Sequence, residues 1–165
     1  MTPFMQRLQK SSVNKYVVLG LRILIGGIFL AAGLIKTIQP LVEFIAVAKT
    51  WNILPDPWVT IYAWLLPWVE VVFGATFLFG AWQRVSSAMI GLMLLSFLIA
   101  IAINIGRGTA LSDCGCFGEL FKFGETFWDL WWRDLGLFIG TLWVMMMPKP
   151  LWFSIDAWLK PSPVA

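Results

Sequence analysis

The sequence predicts an all-α integral membrane protein. The expected form is a four-helix bundle with both termini cytoplasmic and short interfacial helices after the first span and at the C-terminus. Three observations predict it. Of 165 residues, 59% are hydrophobic and only 13% are charged, where a soluble domain carries about 25% charged residues. The mean hydropathy is +0.81. Four apolar runs approach the ~20 residues that a spanning helix requires. Helices are the expected form because, in lipid, backbone groups must bond within their own segment.

Taken in order, residues 1–15 are polar and basic, and the first span runs from about Tyr16 to Ile38. A signal peptide would end after a short apolar core at a small-residue cleavage site. This run continues to spanning length, so a retained helix is expected. The stretch Leu41 to Ala48 reads as a helix lying at the interface. The Pro55-Asp56-Pro57 cluster closes that connection and starts the second span, about Trp58 to Phe79. Gly80 to Val85 form a tight helical hairpin into the third span, about Val85 to Ile105. A polar loop, residues 107–129, precedes the fourth span, about Leu130 to Met147. The membrane domain is therefore residues 16–147. In residues 148–165, Pro148-Lys149-Pro150 breaks the helix, and Leu151, Trp152, Ile155, Trp158 and Leu159 then recur at helical spacing, as in an interfacial tail.

The net charge of +3 is scattered along the chain, which argues against nucleic acid as a partner and for membrane lipids. Arg7, Lys10, Lys15, Arg84, Lys149 and Lys160 fall on one side, and Lys49, Arg107 and Lys122 on the other. The positive-inside rule puts the richer side in the cytoplasm. In a bacterium, that is a multi-pass protein of the inner membrane with the 107–129 loop in the periplasm. The 11 tryptophans suit interfacial belts. Gly26, Gly27, Gly33 and Gly74 are small enough to let helices approach closely.

Ionisable groups inside a span are expensive and face the bundle interior. Arg22 and Glu70 come out at about 9 and 14 Å from the inner end at 1.5 Å rise per residue. An ion pair between them is expected, either as a packing bridge or in a functional role. Lys36 falls at the outer end of the first span, level with Asn104, Arg107, Arg133 and Asp134. It either snorkels to the interface or forms a polar cluster beneath the loop, where a cation would raise the thiolate fraction of a cysteine.

That loop holds both cysteines, in Asp113-Cys114-Gly115-Cys116-Phe117-Gly118. A disulfide between such near neighbours would be strained, and strained bridges are labile or catalytic rather than structural. A small loop also gives little entropic stabilisation. Zinc takes about four ligands, usually Cys and His. With no histidine in the chain, Asp113 and Glu119 would have to complete a site, so no metal is expected. Two inert thiols in a tight turn remain an alternative. A second cysteine pair to pass electrons onward is lacking, so Cys114 and Cys116 would have to exchange with a partner protein or with a membrane quinone. No covalently bound cofactor is expected.

Several stretches together carry a family resemblance. They are Arg22 to Lys36, Ile53-Leu54-Pro55, Leu66-Pro67-Trp68-Val69-Glu70, Arg107-Gly108, Asp113 to Gly118 and Trp132-Arg133-Asp134. In these the chain resembles the DoxX and MauE-type family of small four-helix membrane proteins. The resemblance implies a bundle related in layout to vitamin K epoxide reductase-like redox proteins. It also implies roles such as disulfide formation during methylamine dehydrogenase maturation (the MauE branch) or quinone-coupled sulfur oxidation (the DoxX branch). The positions it carries over are Lys36, Glu70, Asp113, Cys114 and Cys116; the tail after Pro150 is outside it.

Two functions follow as expectations. One is a thiol–disulfide oxidoreductase or maturation factor, in which Cys114 or Cys116 exchanges with a periplasmic thiol protein, Lys36 and Arg107 stabilise thiolate, and a quinone takes the electrons. The other is a non-catalytic subunit of a larger respiratory or photosynthetic membrane complex, which the tryptophan-rich faces and the tail would dock. A transporter is disfavoured, because four spans leave little room for a path and no inverted repeat is visible.

Overall fold

The computed structural model describes residues 12–108 and 127–147. Asp113, Cys114, Cys116, the N-terminal segment before Ser12 and the expected C-terminal interfacial helix lie outside the described residues. Five helices form the described part: α1 (Ser12–Ile38), α2 (Leu41–Thr50), α3 (Trp58–Phe79), α4 (Gln83–Gly106) and α5 (Phe127–Met146). The all-helical membrane bundle expected from the sequence is what forms. α1, α3 and α4 are each long and apolar enough to cross a membrane. The fourth expected span, α5, is helical, but Asp129, Arg133 and Asp134 occupy its first two turns, which shortens its uncharged stretch.

The side chains facing the interior are set by a seven-residue repeat. On α1 the buried side chains are those of Val18, Arg22, Ile25, Phe29, Ala32 and Lys36. These alternate by four and three residues, the spacing that keeps one helix face turned to a partner. α1 packs most extensively against α3, and α5 against α4. The hydrophobic effect does little between helices in lipid, so close packing at small residues has to hold them together. Three glycines make the α1–α3 contact. A Cβ at Gly26 would stand 2.9 Å from Leu78 Cα, one at Gly33 2.8 Å from Val71 N, and one at Gly74 2.6 Å from Leu30 N. Gly27 has open space beside it and plays no part in this approach. These contacts define one antiparallel register along the two helices.

Between α3 and α4 the chain turns in three residues, Gly80, Ala81 and Trp82. Gly80 takes the left-handed conformation (φ 70°) that glycine adopts without a Cβ clash. Its N–H donates to Phe77 O at 3.3 Å and the N–H of Ala81 donates to Thr76 O at 2.9 Å, the paired closing bonds of a Schellman motif. This turn defines the hairpin end of the bundle. At the opposite end, the loop end, α2 lies across α1 and α3 with none of its residues fully buried. Lys49 pairs with Asp56 at 3.1 Å, tying the end of α2 to the Pro-rich turn before α3. Exposed tryptophans stand at both ends, Trp58, Trp128 and Trp132 at one and Trp82 at the other, as interfacial anchors do.

Candidate functional site

Arg22 and Glu70 do not pair. The expected bridge requires α1 to begin level with the end of α3, and the two helices are offset from that alignment. In the register fixed by Gly26, Gly33 and Gly74, Arg22 lies about twelve residues along from the level of Glu70, roughly 18 Å. Arg22 instead donates from Nε to Phe77 O at 3.3 Å and from Nη2 to Leu78 O at 3.1 Å. Those carbonyls belong to the last turn of α3, where helical partners run out and a cation is favoured. Around this end Ser86 Oγ donates to Thr76 Oγ1 at 2.9 Å, Gln83 Nε2 to Ser87 Oγ at 3.3 Å, and Ser87 Oγ to Gln83 O at 2.6 Å. The hairpin end is thus a network of polar groups bonded to one another and to backbone, in which Gln83 Oε1 is the buried atom that accepts no hydrogen bond among the described residues.

The partner of Glu70 is Lys36. Its Nζ donates to Glu70 Oε1 at 2.6 Å, and the two side chains are each 2% exposed. The same register explains the meeting, because it sets Lys36 within one turn of Glu70 across the helix pair. Pro67 lies on α3 one turn before Glu70. Two aromatic rings flank the ammonium, Phe44 of α2 at 5.4 Å and Phe97 of α4 at 6.0 Å, distances at which a ring face attracts a cation. Among the described residues, Glu70 Oε2 accepts no hydrogen bond. A buried ion pair that leaves one carboxylate oxygen unanswered is poorly compensated for leaving water.

Lys36 also lines a cavity of about 300 Å³. α2, the loop after it, α3 and α4 form its walls, among them Phe44, Trp51, Leu66 and Phe97. Of the lining residues, Lys36 is the charged one. The cavity therefore combines an apolar, partly aromatic chamber with a single positively charged hydrogen-bond donor, the composition of a small-molecule site.

The other expected residues take separate places. Arg107 is exposed at the end of α4, and its Nη1 donates to Asn52 O at 2.8 Å. Asn52 lies between Trp51 and Ile53, both of which line the cavity, so Arg107 ties the end of α4 to the cavity rim. Asp134, buried on α5, is paired with Arg133 at 2.9 Å. Nothing in the sequence marks Phe44, Trp51 and Phe97 as site walls. The available signal was weak: three aromatics on three separate segments, with nothing in a linear pattern to bring them together.

Comparison with known proteins covers most of this bundle. Residues 14–147 match the family described as Methylamine utilisation protein MauE. Three relatives carry that name. The one from Methylophilus methylotrophus is 32% identical over 107 residues, 65% of this chain and 56% of the relative. The one from Paracoccus denitrificans is 32% identical over 110 residues, 67% and 59% of the two chains. The one from Methylorubrum extorquens is 29% identical over 121 residues, 72% and 64%. The matched stretch thus spans less than two thirds of each relative's length. No solved structure matches the chain. With the family match extending from the first helix to the end of the last, this chain belongs to the MauE family.

Proposed function

We propose that this protein is a membrane thiol–disulfide redox protein that serves maturation in methylamine utilisation, with Cys114 and Cys116 as the exchanging pair and a quinone as electron acceptor. The observation that carries the reading is the buried Lys36–Glu70 pair beside an apolar cavity, at the end of the bundle where the cysteine-bearing loop begins. Arg107 supports it, because its bond to Asn52 O fastens the start of that loop at the cavity rim. Cys114 follows Gly108 by six residues, about 20 Å of chain at full extension, so the thiols are tethered within reach of this end. The relatives' names supply the link to methylamine utilisation.

In the proposed cycle, a dithiol of a periplasmic partner attacks the Cys114–Cys116 disulfide. A mixed disulfide forms and resolves, leaving the partner oxidised and this pair reduced. The reduced pair then returns two electrons and two protons to a quinone, which becomes a quinol. Strain in so small a ring makes the bridge a good oxidant. The excess of basic residues that the sequence assigns to the side of the termini and the 80–85 turn supports a cytoplasmic position for that side and a periplasmic one for the cysteines, in a bacterial inner membrane. The alternative of a non-catalytic complex subunit rests on the tail, which lies outside the described residues, and on exposed tryptophans, which lipid contact explains equally well.

The test is to replace Cys114 and Cys116 singly by serine in cells that use methylamine. The expected result is loss of partner disulfides and, in one variant, a trapped mixed disulfide with the partner. Partner disulfide formation at the normal rate in both variants would overturn the reading.

A further inference from the structure

The cavity beside Lys36 carries information about its occupant. At about 300 Å³ it lies at the lower limit for small-molecule sites, room for one ring and too little for a two-tailed phospholipid head. Phe44 and Phe97 stand on either part of its wall, each within 6.0 Å of the Lys36 ammonium. A flat ring seated against them comes within reach of the Lys36 donor. An ammonium has three N–H groups, and Glu70 Oε1 engages one. The charge of Lys36 is already balanced by Glu70, so an anionic head would bring an uncompensated charge into a buried site, whereas an uncharged carbonyl oxygen would not. The cavity also has a way out. Leu54 and Ile99 line it and are 43% and 53% exposed. Ile99 shares one face of α4 with Leu95 and Leu92, both exposed, an apolar track along which a tail could lie in lipid.

From these features we infer that the cavity binds a flat, uncharged, carbonyl-bearing ring on a single long apolar tail, the quinone class, with Lys36 Nζ donating to the ring carbonyl. The inference deepens the redox reading, which needs an electron acceptor, and gives that acceptor a place. Binding itself stands on the cavity and not on the cysteines.

The experiment uses the full chain in lipid nanodiscs with two photoreactive probes, a decyl benzoquinone and a fatty acid of similar tail length. The benzoquinone is expected to label peptides that contain residues 44–54 or 96–100, and excess unlabelled decylubiquinone should compete it away. Ala48→Phe and Ala100→Phe, which fill the cavity and leave Lys36 and Glu70 in place, should each lower labelling at least tenfold in helical, correctly sized protein. Two variants are used so that a folding failure in one leaves the other to decide. Cys114→Ser should label as the parent does. Labelling spread over other helices, equal competed labelling by the fatty acid, or undiminished labelling in both filled variants overturns the site. If labelling fails while thiol exchange persists, this inference falls and the redox reading stands; retained labelling without thiol exchange has the reverse meaning.

Discussion

α1 buries two cations on one seam, two heptads apart, and the two ends of the bundle use them differently. Arg22, at the hairpin end, is spent on the carbonyls of Phe77 and Leu78. It closes a helix terminus and is set among hydroxyls that bond to each other and to backbone. Lys36, at the loop end, holds a single carboxylate oxygen of Glu70 and faces a chamber walled by aromatic rings. A guanidinium has five donors in a rigid fork, suited to satisfying several carbonyls at once, whereas an ammonium on a flexible stem suits a site whose partner can change. The difference teaches that a buried charge in a membrane helix is not by itself a functional mark. What distinguishes a site is spare hydrogen-bonding capacity next to space.

The comparison can be broken first at Lys36. Lys36→Met leaves the Glu70 carboxylate buried without its cation, and loss of one partner of a buried pair costs about 3–5 kcal/mol. Unfolding of the reconstituted protein in denaturing detergent should register that loss, and adding Glu70→Leu should recover most of it. If the single and double variants are equally unstable, the two groups are not coupled. The same cycle run on Arg22 and Glu70 should be additive within about 0.5 kcal/mol, as for distant sites.

Next in size is Arg22 itself. Arg22→Met removes the charged donor from two carbonyls at the end of α3, for an expected loss of about 2–3 kcal/mol. Arg22→Lys should restore part of it. Neither change is expected to alter the redox state of the cysteines, and a clear change there would erase the contrast between the two ends. A smaller effect belongs to the hairpin turn. Gly80→Ala places a Cβ at positive φ, at a cost of roughly 1 kcal/mol, again without effect on thiol chemistry. The smallest change in stability is expected for Arg107→Ala. Its bond to Asn52 O is exposed and contributes at most about 1 kcal/mol. If that bond fastens the cysteine loop at the cavity rim, thiol exchange should nevertheless slow measurably in a stopped-flow assay with the partner protein.

Much of the bundle is legible in the sequence, because apolar run length, Pro55-Asp56-Pro57 and Gly80 mark helix ends directly. The sequence predicts the second span over about Trp58 to Phe79, and the helix has those bounds; α2 starts at Leu41 as expected and runs two residues further than Ala48. The sequence marks both Glu70 and Lys36, but helix-end depth pairs Glu70 with Arg22. Depth along a helix depends on register, and register here is set by where Gly26, Gly33 and Gly74 admit the neighbouring backbone. Each glycine is a weak signal alone. Taken as one antiparallel set, with Gly26 against Leu78 and Gly33 against Val71, they move Lys36 to Glu70 and Arg22 to the end of α3. The cavity was not legible, because its walls come from α2, its following loop and two spans, and nothing in the pattern of α2 tells which of its faces Phe44 would present to Lys36.

The central claim is that the loop-end pair serves the cysteines while the hairpin-end cation serves the fold. The most direct measurement is the redox state of Cys114 and Cys116 in native membranes, by differential thiol labelling, in the parent protein, in Lys36→Met/Glu70→Leu and in Arg22→Lys. The account predicts a mixture of oxidised and reduced pairs in the parent and in Arg22→Lys, and a pair held reduced in the double variant, which has lost the donor for its acceptor. An unchanged redox state in a folded double variant would contradict it.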